Sequence, residues 1–416
     1  MPEACLASHI YPAESNRDKV FINEKSPEST VEQLVERGSM ITEDEMHRLF
    51  REAHGGDGRG VAVSRAPGRV NLIGGHTDYN EGFVLPAAVD RYIWVAARPR
   101  EDTTVNVYAA DYGEKSSFKV DSPTFDEEHL WANYVMGVVD VLLKEGYTLG
   151  GVDMVVRGDI PQGAGLGSSG ALLMATGMIF SEVFHLEIDP VDLAYLGKLA
   201  ENSFVGVQCG IMDQFVSALG QRDHVLFIDC RTNDYNLIPL DPDFRIVVAN
   251  TMVRRELSHS AYNERRRQCD EGVRILKRSL PKIKALRDVS PEQFERYKHG
   301  LPDVIRKRCS HVVGENSRVL EAAKALKDGK IERLGELMYE SHRSLMDDYD
   351  VSCRELDALI EAAKEIPGTV GARMTGAGFG GCTVNLVRRE QTRNFVHKIK
   401  ERYNAATSLQ AEVYVV

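Results

Sequence analysis

The chain lacks any apolar run long enough to cross a bilayer. Its longest, around Ala171 to Phe180, falls well short of the roughly 20 residues that a spanning helix requires. Cysteine is sparse and unpatterned. Seven residues stand at 5, 209, 230, 269, 309, 353 and 382, an odd number with no CxxC pair, which excludes a disulfide framework and a thiolate zinc site. An excess of positive charge is also missing. With 51 basic against 62 acidic side chains and a net charge of −11, the chain is unsuited to sequence-independent binding of nucleic acid or to an anionic membrane surface. The opening Met1-Pro-Glu-Ala-Cys5 has no apolar segment of the secretory kind, so a reducing, cytoplasmic location is expected. Internal repeats and low-complexity linkers are absent as well.

What remains is the composition of a globular protein, 43% hydrophobic and 27% charged over 416 residues, a length that predicts two domains. Residues 1–58 read as a polar helical extension. One short helix opens at Ser26-Pro27-Glu28 and runs to Gly38, and a second begins at the Thr42/Glu45 capping box and ends before Gly55. A strand-rich region follows from Gly60, with a helix at Leu130 to Glu145 and a strand at Val152 to Val156. Another helix starts after Asp189-Pro190. Beyond the strands Val225 to Asp229 and Phe244 to Ala249, helices are expected at Ala261 to Arg278, Ile331 to Ser341, Ser352 to Ile366 and near 390–403. Strands are expected at Gly371 to Met374, Cys382 to Val387 and Ala411 to Val416. The irregular alternation predicts an α+β class, divided into an N-terminal domain at 59–203 and a C-terminal domain at 204–416.

Four glycines crowd Pro161-Gln-Gly-Ala-Gly-Leu-Gly-Ser-Ser-Gly170, between a strand and a helix whose apolar stripe is Leu172, Ala175, Ile179 and Val183. Gly163, Gly165 and Gly167 let a backbone approach an anion closely, and the helix end adds unpaired N–H groups and a positive dipole. Ser168 and Ser169 place hydroxyls there for a phosphate or its metal ion. No Gly-Lys-Ser/Thr follows, so this is not a Walker A loop, and it fits a dinucleotide fingerprint poorly. Three further segments interrupt apolar strands with polar groups. Arg65 to Asn80 carries Arg69, Asn71, His76, Asp78 and Tyr79, a set suited to polyhydroxylated ligands. Glu201 and Asp213 flank a glycine-bearing bend and suit a metal ion or proton transfer. Met374 to Gly381 is a second glycine bend.

These segments resemble, in order, the three motifs of the GHMP small-molecule kinases. Gly68-Arg-Val-Asn-Leu-Ile-Gly-Gly-His-Thr-Asp-Tyr79, Cys209-Gly-Ile-Met-Asp-Gln214, Gly371 to Cys382, Ser260 to Cys269 and Asp347 to Cys353 are similar to the galactokinase family in particular. The likeness covers about residues 60–416. It implies a ribosomal S5 domain 2-like N-terminal domain, an α+β C-terminal domain and an active site in the cleft between them. ATP and Mg²⁺ would be the cofactors, and the γ-phosphoryl group would pass to the anomeric hydroxyl of a galactose-like sugar. Asp213 would act as base with Arg69 as its partner. Ser169 and Glu201 would hold the metal. Gly75, His76, Asp78, Gly210 and Tyr262 would line the sugar site, and Trp131 and Tyr134 would sit near the adenine. The protein would be a monomer or weak dimer without nucleic-acid or membrane partners. Gly167 and Gly170 stand where the family usually has Ser and Ala. Gly75 replaces a usual Glu that would accept from the sugar's 6-hydroxyl. That change opens galacturonate as an alternative substrate, although no cation beside residue 75 is visible in the sequence. A galactokinase-like sensor without catalysis is a further alternative, against which the undeleted loop, Arg69 and Asp213 all speak.

Overall fold

The computed structural model describes residues 41–161, 164–253 and 258–416; the expected helix at 26–38 and Gly163 lie outside these. Helix α1 (Glu43–His54) begins where Thr42 Oγ1 accepts from Glu45 N at 3.2 Å and ends at Gly55 with φ of 74°. Five strands follow: β1 (Ala62–Asn71), β2 (Phe83–Val84), β3 (Pro86–Pro99), β4 (Thr104–Ala109) and β5 (Glu114–Lys119). Then come α2 (Ala132–Lys144), β6 (Val152–Gly158), α3 (Ser168–Val183), α4 (Pro190–Ala200), α5 (Met212–Leu219), β7 (His224–Asp229) and β8 (Tyr235–Pro239). The second half contains β9 (Phe244–Asn250), α6 (Ser258–Leu276), α7 (Pro291–Tyr297), α8 (Asp303–Lys327), α9 (Ile331–Ser344), α10 (Arg354–Lys364), β10 (Thr369–Thr375), β11 (Cys382–Arg388), α11 (Thr392–Thr407) and β12 (Glu412–Val415).

An eight-stranded sheet runs in the order β2-β7-β3-β6-β4-β5, with β1 beside β3 and β8 beside β7. Among the described residues of this sheet, only β4 and β6 pair in parallel. Alternate residues of β3 and β6 face opposite ways, as strand geometry requires. Val95, Ala97 and Met154 join the core beneath α3, whereas Trp94, Ala96 and Val155 receive Met46 and Phe50 of α1. The expected polar extension therefore ends in a helix that covers one sheet face. The sequence reading changed domains at residue 203/204; the first sheet takes in β7 and β8, through Pro239. The second sheet, β10-β11-β9-β12, is antiparallel throughout and is backed by Leu359, Ile360, Phe395, Ile399 and Tyr403 of α10 and α11.

Two features position the site. Strand β1 passes through Pro67-Gly68 with a bulge between Pro67 and Arg69. A Cβ on Gly68 would lie 2.6 Å from Leu166 O, so glycine is what lets the glycine-rich loop rest on the strand. Helix α8, 25 residues long, was not anticipated from the sequence; it lies between the second-domain helices and the turn that follows β1.

Candidate active site

Arg69, at the bulge of β1, is 7% exposed and grips two things. Its Nε and Nη2 donate to Asp213 Oδ1 and Oδ2 at 2.7 and 2.6 Å, and its Nη1 donates to Gly165 O at 2.6 Å. Its backbone N–H donates to Leu166 O at 2.7 Å. The carbonyls of Gly165 and Leu166 thus turn toward Arg69, and the N–H groups at the start of α3 are of the kind that takes an anion. Gly167 caps α3 at φ of 76° without a side-chain capping bond, a left-handed conformation that suits glycine. Asp213 sits in the first turn of α5. A Cβ on Gly170 would lie 2.9 Å from Asp213 Cβ, so the start of α3 and the carboxylate-bearing turn pack in direct contact.

Glu201 is 4% exposed. Its Oε2 accepts from Gln214 Nε2 at 2.5 Å and from Cys209 Sγ at 3.2 Å, and the Ser169 hydroxyl bonds to it as well. Burial first, then the charge of Asp213, pushes its carboxyl up to about 7. Among the described residues no ion pair neutralises it, and Gln214 Oε1 is a buried oxygen with no hydrogen-bond partner. An acid and a hydroxyl in contact at the start of α3 are hard oxygen donors of the kind Mg²⁺ takes.

The turn after β1 forms a second cluster. His76 adopts φ of 61°. Its Nε2 lies 3.2 Å from Ala377 O, and its Nδ1 2.9 Å from Tyr79 OH. A carbonyl only accepts, so Nε2 is assigned the proton, and Tyr79 OH donates to Nδ1. Tyr349 OH then donates to Tyr79 at 2.7 Å, and Cys269 Sγ donates to Tyr349 at 3.2 Å. Burial foremost holds His76 down to about 3. The rings of Tyr262, Tyr79 and Tyr349 surround His76 at 5.6, 5.8 and 4.8 Å. Both ring nitrogens of His76 are therefore occupied by the protein's own groups. Asp78 is half-buried and lies against Gly210, whose Cβ would stand 2.1 Å from Asp78 Oδ2. Burial and then Asp213 push Asp78 up to about 6.

The other expected residues lie apart from this cluster. Trp131 donates Nε1 to Glu114 Oε2 at 2.7 Å and is 6% exposed, and Tyr134 is buried in the same core. Trp131 caps α2 and Tyr134 lies in its first turn, and that helix packs on α3. Gly75 has a cation beside it after all: a Cβ there would lie 2.5 Å from Arg373 Nη2. Arg373 is 1% exposed, its Nη1 donates to Asn71 O at 3.1 Å, and its Nε has no hydrogen-bond partner among the described residues. Sequence reasoning overlooked Arg373 and Glu315. Arg373 stood within the Gly371 to Cys382 motif, but the contact that gives it meaning spans almost three hundred residues.

Comparison with known proteins bears on the family. Residues 48–99 match the family described as the galactokinase galactose-binding signature, 133–221 the GHMP kinases N terminal domain, and 322–405 the GHMP kinases C terminal family. A galactokinase of Roseiflexus sp. (strain RS-1) is 47% identical over 376 residues, 90% of this chain and 95% of that protein. A galactokinase of Chloroflexus aggregans is 48% identical over 80% of this chain and 86% of its own length. The crystal structure of Lactococcus lactis galactokinase complexed with galactose superposes with a TM-score of 0.86 at 36% identity, covering 89% of this chain and 97% of that one.

Proposed function

This chain belongs to the galactokinase family of GHMP kinases, and from that membership we propose that it transfers the γ-phosphoryl group of ATP to the anomeric hydroxyl of galactose, giving galactose 1-phosphate. The observation that carries the mechanism is the bidentate Arg69–Asp213 pair set against the open N-terminus of α3. Phosphoryl transfer asks chiefly for alignment and for neutralisation of charge. The N–H groups at the start of α3 take the phosphates. Asp213 Oδ faces the sugar hydroxyl and accepts its proton, and Arg69 keeps that carboxylate aimed while stabilising the moving negative charge. Asp78 accepts from sugar hydroxyls, and the rings of His76 and Tyr262 wall the pocket. Ser169 and Glu201 would hold Mg²⁺, which when bound offsets the charge of the phosphates. The adenine lies on the side that Trp131 and Tyr134 back.

Galactose is favoured over galacturonate by the named relatives. Arg373 is enclosed in the wall behind Gly75 and already bonded to Asn71. An ADP-release screen with galactose, galacturonate, glucose and 2-deoxygalactose, with the phosphate position read by NMR, tests the assignment. Turnover confined to galactose and 2-deoxygalactose is expected. Faster turnover of galacturonate, or phosphate elsewhere than at C1, would overturn it.

A further inference from the structure

The turn Gly74-Gly75-His76 is unusual backbone to find in a ligand pocket. Gly74 has φ of 101° and His76 φ of 61°, so left-handed residues flank Gly75 on both sides. A histidine with a left-handed φ is strained, and such a residue persists only where its surroundings over-determine it. The surroundings are one face of α8. Glu315 Oε1 accepts from Gly74 N at 2.9 Å and from Gly75 N at 3.0 Å. One turn earlier, His311 Nε2 lies 3.0 Å from Gly75 O, and its proton is assigned there because a carbonyl only accepts; Ser344 Oγ, 2.9 Å from Nδ1, then donates to that nitrogen. Residues at i and i+4 on a helix share a face, and here they hold both peptide groups of residue 75.

Glu315 is completely buried and is itself held. Ser341 Oγ donates to its Oε1 at 2.6 Å, and Arg318 Nε donates to its Oε2 at 2.7 Å. Burial opposes charge there, yet the neighbouring cations, Arg318 first among them, keep its carboxyl well below the usual carboxylate range. A buried charge completed by four donors is a rigid anchor, because every alternative arrangement leaves it unpaired.

We infer that Glu315 is a positioning residue for sugar binding: it fixes the Gly74-Gly75-His76 turn of one domain from a helix of the other, and so sets the affinity of the pocket for galactose without touching it. The inference rests on the proposed function, in which that turn walls the sugar site. ATP approaches the separate α3 terminus, so the nucleotide side should be insensitive to the anchor.

The test is steady-state kinetics on the full chain, with both substrates varied, for the parent, Glu315→Gln and Ser341→Ala. Loss of a charged hydrogen bond to the turn is expected to raise the galactose KM of Glu315→Gln by about tenfold or more, with the ATP KM unmoved. Ser341→Ala removes one donor to the anchor and leaves the turn's own residues in place, so a smaller rise, about threefold, is expected from a neutral hydrogen bond. A purely structural role would instead lower kcat with the active fraction and leave both KM values alone, and that result in Glu315→Gln would overturn the inference. Should Glu315→Gln fail to accumulate as folded protein, Ser341→Ala decides: an unchanged galactose KM overturns the inference. A parent that phosphorylates no galactose defeats the proposed function itself, which separates the two failures.

Discussion

Replacing Asp213 by Asn tests the chemistry with the least disturbance of shape. The amide fills the same volume, so the contact between Asp213 Cβ and the start of α3 at Gly170 is preserved. What disappears is the proton acceptor and the negative half of a bidentate pair at 2.6 and 2.7 Å. General-base assistance contributes about 10²- to 10⁴-fold. Opposite charges about 4 Å apart at an effective dielectric of about 20 attract by about 4 kcal/mol. The substitution leaves Arg69 aimed at an amide whose NH₂ cannot accept, so the guanidinium turns further toward Gly165 O and loses its alignment with the transferring group. Together these effects place the expected fall in kcat at about 10³-fold or more. Galactose binding measured by calorimetry should change by less than about threefold, since the lost interaction belongs to the transition state. The assay is coupled ADP release at saturating galactose and Mg-ATP, with the thermal midpoint recorded to exclude misfolding. A kcat within about tenfold of the parent, in a protein that melts normally, would refute Asp213 as the base.

Asp78 gives a pH dependence. Its carboxyl, raised to about 6 by burial and then by Asp213, accepts at both oxygens and more strongly once ionised, so galactose affinity should rise as pH passes upward through about 6. In Asp213→Asn that midpoint should move down, and calorimetry from pH 5 to 8 checks both. The linked stability effect has the opposite direction. The native chain keeps a proton that the unfolded chain releases from about pH 4, so the free protein loses stability as pH rises to about 6. Gly210→Ala would put a methyl 2.1 Å from Asp78 Oδ2; an increase of about tenfold in galactose KM is expected from a displaced charged acceptor, and unaltered kinetics would show that Asp78 is not the sugar ligand. Gly75→Ala would put a Cβ 2.5 Å from the buried Arg373 Nη2, and a stability loss of about 1–3 kcal/mol is expected from such overpacking. A melting curve identical to the parent's would mean that Arg373 has another place to go.

Much of this was legible because glycine and charge placed inside apolar strands have no use in packing. The Pro161 to Gly170 loop, the β1 turn and the Asp213 bend announced themselves in that way, and Thr42 marked the start of α1 through its hydroxyl. Helix α8 escaped for the converse reason. Its inward face carries Arg308, His311, Glu315 and Asn316, all buried, so the apolar period that identifies an amphipathic helix is broken where the helix meets the site. Arg373 escaped because nothing local distinguishes it from a strand residue with its head in water. Trp131 and Tyr134 show a different limit: a family likeness supplied their role, whereas their surroundings are those of core residues. The assignment of β7 and β8 to the first sheet depends on pairing with β2 and β3, far back in the chain, which no local pattern encodes.

The hydroxyl chain that starts at Cys269 and ends on His76 runs in one direction, with every hydrogen pointing toward the imidazole and the imidazole's own hydrogen spent on Ala377. An imidazole so committed has nothing to lend to a reacting sugar and nowhere to store what the sugar gives up. A residue that in many enzymes would compete for a departing proton has both ring nitrogens occupied here.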